Sequence, residues 1–358
     1  MNDNMALTAT IFITDKCNLA CKYCYEENKQ YKTIKAEYID RFIDLLYHEP
    51  RYCNRKQIVL DFIGGEALLE WQLMEHAMNR FIEVGKNLHH PWITENRFIF
   101  FNTSNGTLFD NPDIKAFLER WKCLQVGVSL DGCKKAHDMN RVYLNGKGSY
   151  DKIMGTMEWW KNRYHQELVK GTMNRDTLPM LADMLINQIN LGFEPWANPI
   201  YEENWTQEDA DEYYNQLKKV VDFIFHRKLY LKLKPIGRPR PNPKESQDME
   251  RGYCGSGVYM VTLGMNGKLY PCHRFATGRH RFDIGDIWNG FDEKKFAILR
   301  DGQKRINRQI GSTSLPLCYS ANYDINGTFD YHNNEEIMTE QEYRIYDYWM
   351  ERMNGVCL

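Results

Sequence analysis

Residues 9–26 read ATIFITDKCNLACKYCYE, a short apolar segment that leads directly into three cysteines. The apolar part is rich in β-branched and aromatic residues, a composition that predicts a buried β-strand. Cys17, Cys21 and Cys24 follow with the spacing C-x3-C-x2-C. The sequence therefore predicts a strand whose C-terminal end carries three thiols in one tight loop.

Three thiols this close together allow four explanations: a disulfide framework, a zinc site, an iron–sulfur cluster or chance clustering of buried thiols. The N-terminal segment lacks the basic and apolar regions of a signal peptide, which predicts a cytoplasmic protein whose thiols stay reduced. For ten cysteines in such a compartment, metal ligation or catalysis is favoured over disulfides. Structural zinc usually takes four ligands in two separated pairs, so the loop suits a cubane cluster with one open iron better.

Composition narrows the class of protein. Of the 358 residues, 43% are hydrophobic and 13% are aromatic, which is enough for a sizeable core in one large domain or two. The net charge of −2 provides no basic footprint for nucleic acid, and no apolar run is long enough to span a membrane. We therefore expect neither a nucleic-acid partner nor a membrane partner.

Strand and helix patterns alternate along the first two thirds of the chain. Such β-then-α units build a parallel sheet covered by helices, and six units are about two short of a full barrel. The sequence thus predicts an α/β fold with a partial (β/α)6 TIM-like barrel, and a doubly wound open sheet is the competing architecture. The strands are expected at 9–14, 57–66, 97–106, 124–132, 167–174 and 193–200, and the helices at 33–49, 68–84, from 112, 149–164, 177–192 and 206–228.

Helix starts are indicated by residues that favour capping positions. Thr33 is expected to cap the first helix, and Ser149 the helix after the fourth strand. Asn111 with Pro112 provides the cap and first-turn residues that a helix start favours. Thr206 is expected to begin the long helix after the sixth strand.

Polar stretches that contain glycine follow successive strands. Residues 64–66 (GGE) follow the second strand, residues 104–106 (SNG) the third and residues 129–132 (SLDG) the fourth. Because the C-terminal ends of parallel strands meet at one rim of a barrel, these stretches should lie beside the cysteine loop. The functional residues are therefore expected at this rim.

The sequence changes character after the sixth helix. Residues 233–250 contain four prolines among charged residues, which predicts a linker between a barrel of residues 1–232 and a C-terminal domain of residues 251–358. In that domain, YMVTLGMNGKLYPCHRF predicts a β-hairpin that turns at Asn266 and Gly267. Because the first strand begins so near the first residue, we expect no leader-peptide-binding domain before the barrel.

With these motifs in this order, the chain resembles the radical S-adenosylmethionine (radical SAM) enzymes. Their signature is C-x3-C-x-aromatic-C, in which Tyr23 supplies the aromatic residue. The SLDG stretch, followed by HDMNR and GKGSYDKI, is very similar to the peptide- and protein-maturing branch, which includes the anaerobic sulfatase-maturating enzymes. The resemblance implies a [4Fe–4S] cluster on the three cysteines, with S-adenosylmethionine beside it.

The resemblance also implies which residues contact S-adenosylmethionine. The GGE turn would meet its methionyl amino group, and Ser129 and Asp131 would lie near its ribose. Arg141 would pair with its carboxylate, a role that suits a bidentate and always charged guanidinium. The expected cofactor-binding residues are Tyr23, Gly64, Gly65, Glu66, Ser104, Asn105, Ser129, Asp131 and Arg141.

The chemistry that the resemblance implies is homolytic cleavage of S-adenosylmethionine. The reaction needs a one-electron donor such as a flavodoxin or ferredoxin, and its deoxyadenosyl radical would take a hydrogen atom from a side chain of a peptide or protein. An oxidation or a cross-link would follow. The protein would supply positioning and water exclusion while the cofactor does the difficult step. An oxygen-protected setting is expected, because such clusters are oxygen-sensitive.

A second group of cysteines lies in the C-terminal region. Cys254, Gly267 and Cys272 fit C-x(9–15)-G-x4-C, which resembles the opening of the auxiliary-cluster domain called SPASM, or of its shortened twitch form. The later cysteines of the full pattern are missing, so one auxiliary [4Fe–4S] cluster is expected rather than two. Its expected ligands are Cys254, Cys272, Cys318 and Cys357, whereas Cys53, Cys123 and Cys133 show no ligand spacing. Cys318 and Cys357 have the alternative of being ordinary thiols.

His273 directly follows the second of these cysteines. In sulfatase-maturating relatives an aspartate stands at the matching position and is thought to take a proton from the substrate. An imidazole could act as that base because its ordinary pKa lies near neutrality, or it could hydrogen-bond the cluster or the substrate backbone. His273 is the candidate catalytic residue, and the change from aspartate argues against simple formylglycine formation.

Two further functions stay open at this point. A dehydrogenase or cyclase of the same superfamily would act on a free metabolite rather than on a peptide. An iron–sulfur regulatory or binding protein would not cleave S-adenosylmethionine at all, and the presence of Glu66 and Arg141 counterparts argues against it.

Overall fold

The structure, a computed structural model, describes residues 5–26, 29–240, 255–310, 318–331 and 335–356. The strands are β1 (Leu7–Thr14), β2 (Ile58–Gly64), β3 (Phe98–Ser104), β4 (Leu124–Val128), β5 (Gly171–Met173), β6 (Ala197–Pro199), β7 (Met260–Leu263), β8 (Lys268–Tyr270), β9 (Gly285–Asp286) and β10 (Gly290–Phe291). The helices are α1 (Ala36–His48), α2 (Trp71–Asn87), α3 (Pro91–Thr94), α4 (Pro112–Arg120), α5 (Lys134–Asn140), α6 (Tyr150–Tyr164), α7 (Leu181–Asn190), α8 (Gln207–His226), α9 (His273–Thr277), α10 (Glu293–Ile310), α11 (Tyr319–Asn326) and α12 (Glu335–Val356).

The strands form a sheet in the order β10-β9-β8-β7-β1-β2-β3-β4 and a separate pair, β5-β6. From β1 to β4 each strand runs parallel to the next, and β5 runs parallel to β6. A parallel bridge between Ser129 and Lys170 connects the end of β4 to the start of β5. The predicted α/β fold, a partial TIM-like barrel of six units, is therefore confirmed.

The two faces of the barrel strands differ in burial. On the outer face, Leu60 and Phe100 are fully buried under the helices and belong to one large hydrophobic core. On the inner face, Asp61, Phe101 and Gln125 stand side by side in register, and each keeps part of its surface accessible. The sequence alternation of β2, β3 and β4 therefore builds a packed outside and an accessible barrel interior.

Two of the predicted helix caps are confirmed. The Asn111 side chain accepts two backbone N–H bonds at the start of α4, and Thr206 forms a capping box at the start of α8. The prediction for Thr33 is wrong, because this residue is drawn into a β-bridge with Thr14 and α1 begins later. Ser149 does precede α6, but its side chain makes no capping bond.

The C-terminal region continues the barrel sheet. β7 lies parallel to β1 and forms the predicted hairpin with β8, and Gly267 at the turn adopts φ +74°, a left-handed conformation that favours glycine. α12 packs on α8, where Ile345 and Trp349 are buried in a second hydrophobic core. The domain boundary at 233–250 stays a prediction. No helix in the described ranges is both long and apolar enough to cross a membrane.

Candidate active site

The cysteine loop follows β1 and is held by backbone pairing against the end of α5 and the residues that follow it. Ala20 N donates to Val142 O at 2.7 Å, and Lys22 N donates to Asn140 O at 3.0 Å. Because these bonds use only main-chain atoms, they fix the loop without engaging the cysteine side chains. The fold thus presents the three thiols on a backbone frame that is already in place.

The three thiols are half-buried in this frame. Cys17 Sγ accepts a hydrogen bond from Leu19 N at 3.4 Å and lies 4.0 Å from Asn105 Nδ2. Burial raises the pKa of Cys17 to about 12, and it raises the pKa of Cys21 and of Cys24 as well. The thiols therefore stay neutral unless a cation compensates for the buried thiolates, which is what metal ligation does.

The GGE turn after β2 packs directly on the backbone at the start of the cysteine loop. Gly65 N donates to Thr14 O at 2.8 Å, and Glu66 N donates to Lys16 O at 2.9 Å. A Cβ atom on Gly64 would collide with the Thr14 carbonyl group, and one on Gly65 would collide with the Lys16 carbonyl group. Close backbone approach therefore requires glycine at both positions.

The Glu66 carboxylate is buried between the ends of β2 and β3. It accepts hydrogen bonds from Asn105 N at 2.7 Å and from Leu68 N at 3.3 Å. Burial raises the pKa of Glu66 to about 7, although these bonds act in the opposite direction. In the adjacent SNG turn, Ser104 Oγ accepts from Gly106 N at 3.0 Å. The turn therefore holds a carboxylate whose charge a cationic ligand would stabilise.

Asp131, Arg141 and Tyr23 form a buried cluster beside the cysteine loop. Arg141 Nε donates to Asp131 Oδ2 at 3.0 Å, and the Tyr23 hydroxyl donates to the same oxygen. Thr172 N donates to Asp131 Oδ1 at 2.9 Å, and the Arg141 guanidinium lies 5.3 Å from the centroid of the Tyr23 ring. Ser129 is buried in the same stretch. The aromatic residue of the cysteine motif is thus tied to the SLDG stretch.

His137 supports this cluster, and it is absent from the sequence-based site. Its Nδ1 accepts from Asp131 N at 3.3 Å, while its Nε2 lies 2.9 Å from Ser149 Oγ. Ser149 Oγ in turn donates to Arg141 O at 2.8 Å. Burial, with the positive charges of Arg141 and Lys134, lowers the pKa of His137 to about 3. A buried neutral histidine therefore joins the two ends of the Asp131–Arg141 pair.

The C-terminal cysteines are only partly visible in the described residues. Cys272 is buried immediately before α9, and burial raises its pKa. Cys318 precedes α11 and accepts from Ala321 N through its sulfur at 3.4 Å. α9 and α11 pack together through Phe275 and Tyr323, whose ring centroids lie 5.8 Å apart. Cys254 and Cys357, the other two predicted ligands, lie outside the described residues.

His273 is the first residue of α9, and its ring centroid lies 5.9 Å from that of Tyr25 in the cysteine loop. Burial, with the positive charge of Lys170, lowers the pKa of His273 to about 4. The neighbouring Arg274 forms an ion pair with Glu202 and lies 4.8 Å from the centroid of the Tyr25 ring. His273 therefore lies beside the cysteine loop as a neutral, weakly basic imidazole.

Two charged residues inside the barrel were also missed by sequence reasoning. Asp61 lies on the inner face of β2, where burial raises its pKa to about 7. Lys170 directly precedes β5, and burial lowers its pKa. A charged residue within the apolar segment IVLDFIG was the available signal for Asp61, because the period-2 alternation of a strand places it opposite the packed face.

The donor groups at this rim fit the cofactors that the family resemblance implies. Three thiols on one loop leave one iron of a cubane without a cysteine from the motif, and a buried carboxylate and a guanidinium lie at the same rim. In the part of the chain that the structure describes, no three His, Cys, Asp or Glu side chains converge closely enough to hold a single metal ion. The thiols of a cubane site do not need to converge on one ion, since each thiolate binds a different iron.

Comparison with known proteins identifies the family of this site. The sequence profile of the Radical SAM superfamily matches residues 11–185, which contain the cysteine loop and the SLDG stretch. The cysteine-type anaerobic sulfatase-maturating enzyme of Clostridium perfringens (strain ATCC 13124) is 28% identical over 293 residues, covering 76% of this chain and 74% of that protein. For two other curated relatives, the match spans only 42% of their own length.

Solved structures share the fold over nearly the whole chain. Native anSMEcpe with bound AdoMet has a TM-score of 0.68 at 18% identity, covering 98% of this chain and 99% of that one. Streptococcus suis SuiB bound to its precursor peptide SuiA has a TM-score of 0.60 at 12% identity, covering 92% of this chain and 75% of that one. The matched sequence profile identifies residues 11–185, with the cysteine loop that they contain, as a domain of the Radical SAM superfamily.

Proposed function

We propose that this chain is a radical SAM enzyme that modifies a side chain of a peptide or protein by oxidation or cross-linking. The observation that carries the proposal is the shared rim, where main-chain bonds tie the loop of three thiols to the Glu66 turn and Tyr23 ties it to Asp131 and Arg141. A bound and reduced [4Fe–4S] cluster with S-adenosylmethionine supplies a deoxyadenosyl radical, and no side chain offers an equivalent.

The roles of the rim residues follow from their charge and burial. The Glu66 carboxylate suits the methionyl ammonium group, because a cation would offset the cost of its buried charge. Arg141 suits a carboxylate, and binding one would exchange it for Asp131, its present partner. The oxygens of Ser129 and Asp131 suit ribose hydroxyl groups. Tyr23 stands between Cys21 and Cys24 in the sequence and its ring packs on the Arg141 guanidinium, so we propose that it helps to keep water away from the cluster.

The substrate class is supported by what the similar proteins are named for. The curated relative from C. perfringens is a sulfatase-maturating enzyme, and SuiB is bound to a precursor peptide. We extend a peptide or protein substrate to this chain on that basis. A cytoplasmic location and a flavodoxin or ferredoxin as electron donor belong to the same proposal.

The C-terminal region is proposed to hold one auxiliary [4Fe–4S] cluster on Cys254, Cys272, Cys318 and Cys357. The packing of α9 on α11 supports it, because each helix begins next to one of the two described cysteines. His273, at the start of α9, is then proposed to contact the substrate. Its lowered pKa favours a hydrogen-bonding role over that of a strong base.

One experiment separates a peptide or protein substrate from a free metabolite. The source organism is grown in deuterated medium, and its extract is divided by ultrafiltration into a macromolecule-and-peptide fraction and a small-metabolite fraction. Each fraction is incubated anaerobically with the reconstituted enzyme, dithionite and unlabelled S-adenosylmethionine. Mass spectrometry then measures deuterium in the 5′-deoxyadenosine formed, because a hydrogen abstracted from the substrate is carried into that product.

We expect deuterium transfer from the peptide-containing fraction only. Transfer from the metabolite fraction alone would instead establish the dehydrogenase or cyclase alternative. Absence of 5′-deoxyadenosine under all conditions would support the non-catalytic iron–sulfur protein. The variant in which Cys17, Cys21 and Cys24 are replaced by alanine controls for cleavage that does not depend on the motif.

A further inference from the structure

Lys170 occupies a distinctive position in the barrel interior. Its backbone extends the β4–β5 contact, since Lys170 N donates to Val128 O at 2.7 Å and Leu130 N donates to Lys170 O at 3.0 Å. It forms the parallel bridge with Ser129. Lys170 therefore stands level with the SLDG stretch, at the rim that carries the candidate cofactor residues.

Lys170 as a residue keeps an accessible surface, while protein atoms surround its charged group. The side chain retains a large accessible surface, yet desolvation by its surroundings lowers its pKa, as do the positive charges of Arg141 and Arg274. Among the described residues, no carboxylate lies within ion-pairing distance of it. The two arginines differ in this respect, because Asp131 pairs with Arg141 and Glu202 pairs with Arg274.

The nearest acid, Asp61, cannot substitute for an external partner. It attracts Lys170 electrostatically, but one of its oxygens is engaged by the Thr10 side chain. The other oxygen, Oδ1, is buried without a hydrogen-bond partner. A ligand in the barrel cannot reach an atom that has no accessible surface. Asp61 keeps only part of its surface accessible whereas Lys170 is exposed, so the lysine is the more accessible charge of this pair.

We propose that Lys170 binds a carboxylate group in the barrel interior, an inference that rests on the proposed function because it identifies the ligand from the molecules of that reaction. The ammonium group of a lysine is a compact positive charge that pairs with anionic groups, and a carboxylate is the anionic group that S-adenosylmethionine and acidic peptide residues carry. The two nearby arginines repel a second cation, so a basic group is disfavoured there. The carboxylate has two possible sources, the methionyl end of S-adenosylmethionine and an acidic residue of the peptide substrate.

The first arm of the test addresses the cofactor. The anaerobically reconstituted protein, in the wild type and in Lys170→Met, Lys170→Gln and Lys170→Arg variants, is titrated with S-adenosylmethionine and with S-methyl-5′-thioadenosine, which lacks the carboxylate. If the cofactor is the source, both uncharged variants bind S-adenosylmethionine weaker by about tenfold or more, because a charge-assisted hydrogen bond is lost. Affinity for the thioadenosine stays unchanged, and Lys170→Arg keeps most of the wild-type affinity.

The second arm addresses the peptide. Saturation-transfer NMR compares acetyl-Ala-Glu-Ala-amide with acetyl-Ala-Gln-Ala-amide on the same proteins at saturating S-adenosylmethionine. If the substrate is the source, wild type prefers the glutamate peptide and the uncharged variants lose that preference. Lys152→Met, on the outer side of α6, is the matched control. The proposal is overturned if neither arm depends on the charge at position 170. The yield of 5′-deoxyadenosine from wild type tests the proposed function separately.

Discussion

The two groups of cysteines in this chain differ in how the fold brings them together. Cys17, Cys21 and Cys24 lie on one loop whose main chain is hydrogen-bonded to neighbouring segments. The C-terminal group extends from Cys254 to Cys357, and its described members stand at the starts of two separate helices. The first group is thus local in sequence, whereas the second depends on helix packing. A spacing motif includes every expected ligand of the first group, whereas in the second group it includes only Cys254 and Cys272.

The largest predicted effect separates the two groups directly. Replacing Cys17, Cys21 and Cys24 by alanine should abolish cleavage of S-adenosylmethionine, because no iron would then be held at the rim. The variant should still retain about four irons after anaerobic reconstitution if the C-terminal group holds one cluster. Iron and sulfide analysis, with 5′-deoxyadenosine measured by chromatography, checks both statements.

The reciprocal variant makes this comparison decisive. Cys272→Ala with Cys318→Ala should lose the remaining irons and keep reductive cleavage of S-adenosylmethionine. If the triple variant retains no iron while wild type holds about four, the C-terminal region carries no cluster. The auxiliary cluster proposed for that region would then be wrong, and the reaction proposed for the first group would be unaffected.

The same contrast explains how much of the fold could be predicted. The alternation of strands and helices through α8 follows local patterns, and Asn111 and Thr206 cap helices as their side chains suggest. α12 was not predicted, because its contribution is to pack Ile345 and Trp349 against α8 far away in sequence. Thr33 failed as a cap for a related reason, since pairing with Thr14 outweighed its local preference. Contacts with residues far away in the sequence therefore determine where α12 packs and where α1 begins.

The candidate site shows the same limit. The motif residues from Tyr23 to Arg141 could be placed by resemblance, because they lie in short stretches after successive strands. His137 could not, since its role depends on reaching Asp131 and Ser149 at the same time. Lys170 was missed because nothing local marks a lysine as facing the interior of a barrel. Residues that act through three-dimensional neighbours leave no spacing pattern.

Breaking the Asp131–Arg141 pair beside the first cysteine group should destabilise the folded protein. Asp131→Asn would leave the buried Arg141 guanidinium without its anionic partner, so the free energy of unfolding should fall by about 3 kcal/mol. Asp110→Asn is the matched control, because Asp110 pairs with Lys152 at the surface, where such pairs contribute about 1 kcal/mol or less. Urea unfolding of both variants measures the difference. An equal loss of unfolding free energy in both variants would show that the Asp131–Arg141 pair stabilises the protein no more than a surface pair does.

The burial of His137 beside Asp131 and Ser149 should make the stability of the protein sensitive to acid. The pKa of His137 is about 3 in the folded chain, against an ordinary value of 6.5. As the pH falls below that ordinary value, the unfolded chain takes up a proton that the folded chain does not accept until the pH nears the lower value. Stability therefore falls with decreasing pH, and this residue should account for about 2 kcal/mol of the loss at about pH 5.

Urea unfolding of the cluster-free protein at neutral pH and near pH 5 measures this contribution. In His137→Gln, which carries no titrating ring, the loss on acidification should be smaller than in wild type by about 2 kcal/mol. His226→Gln, exposed at the end of α8, controls for the substitution itself. If the unfolding free energy of His137→Gln depended on pH as that of wild type does, another group would be responsible for the acid sensitivity.

The smallest predicted effect concerns the hydrogen bond that links Tyr23 in the cysteine loop to Asp131. Tyr23→Phe removes only the hydroxyl that donates to Asp131, so stability should fall by about 1 kcal/mol. Tyr164→Phe is a matched control in the same barrel, because the buried Tyr164 hydroxyl has no hydrogen-bond partner among the described residues, and its removal should cost little. Iron release to a chelator after reconstitution should also be faster in Tyr23→Phe alone. Equal behaviour of the two variants would show that the loop is held by its main-chain bonds without this hydroxyl.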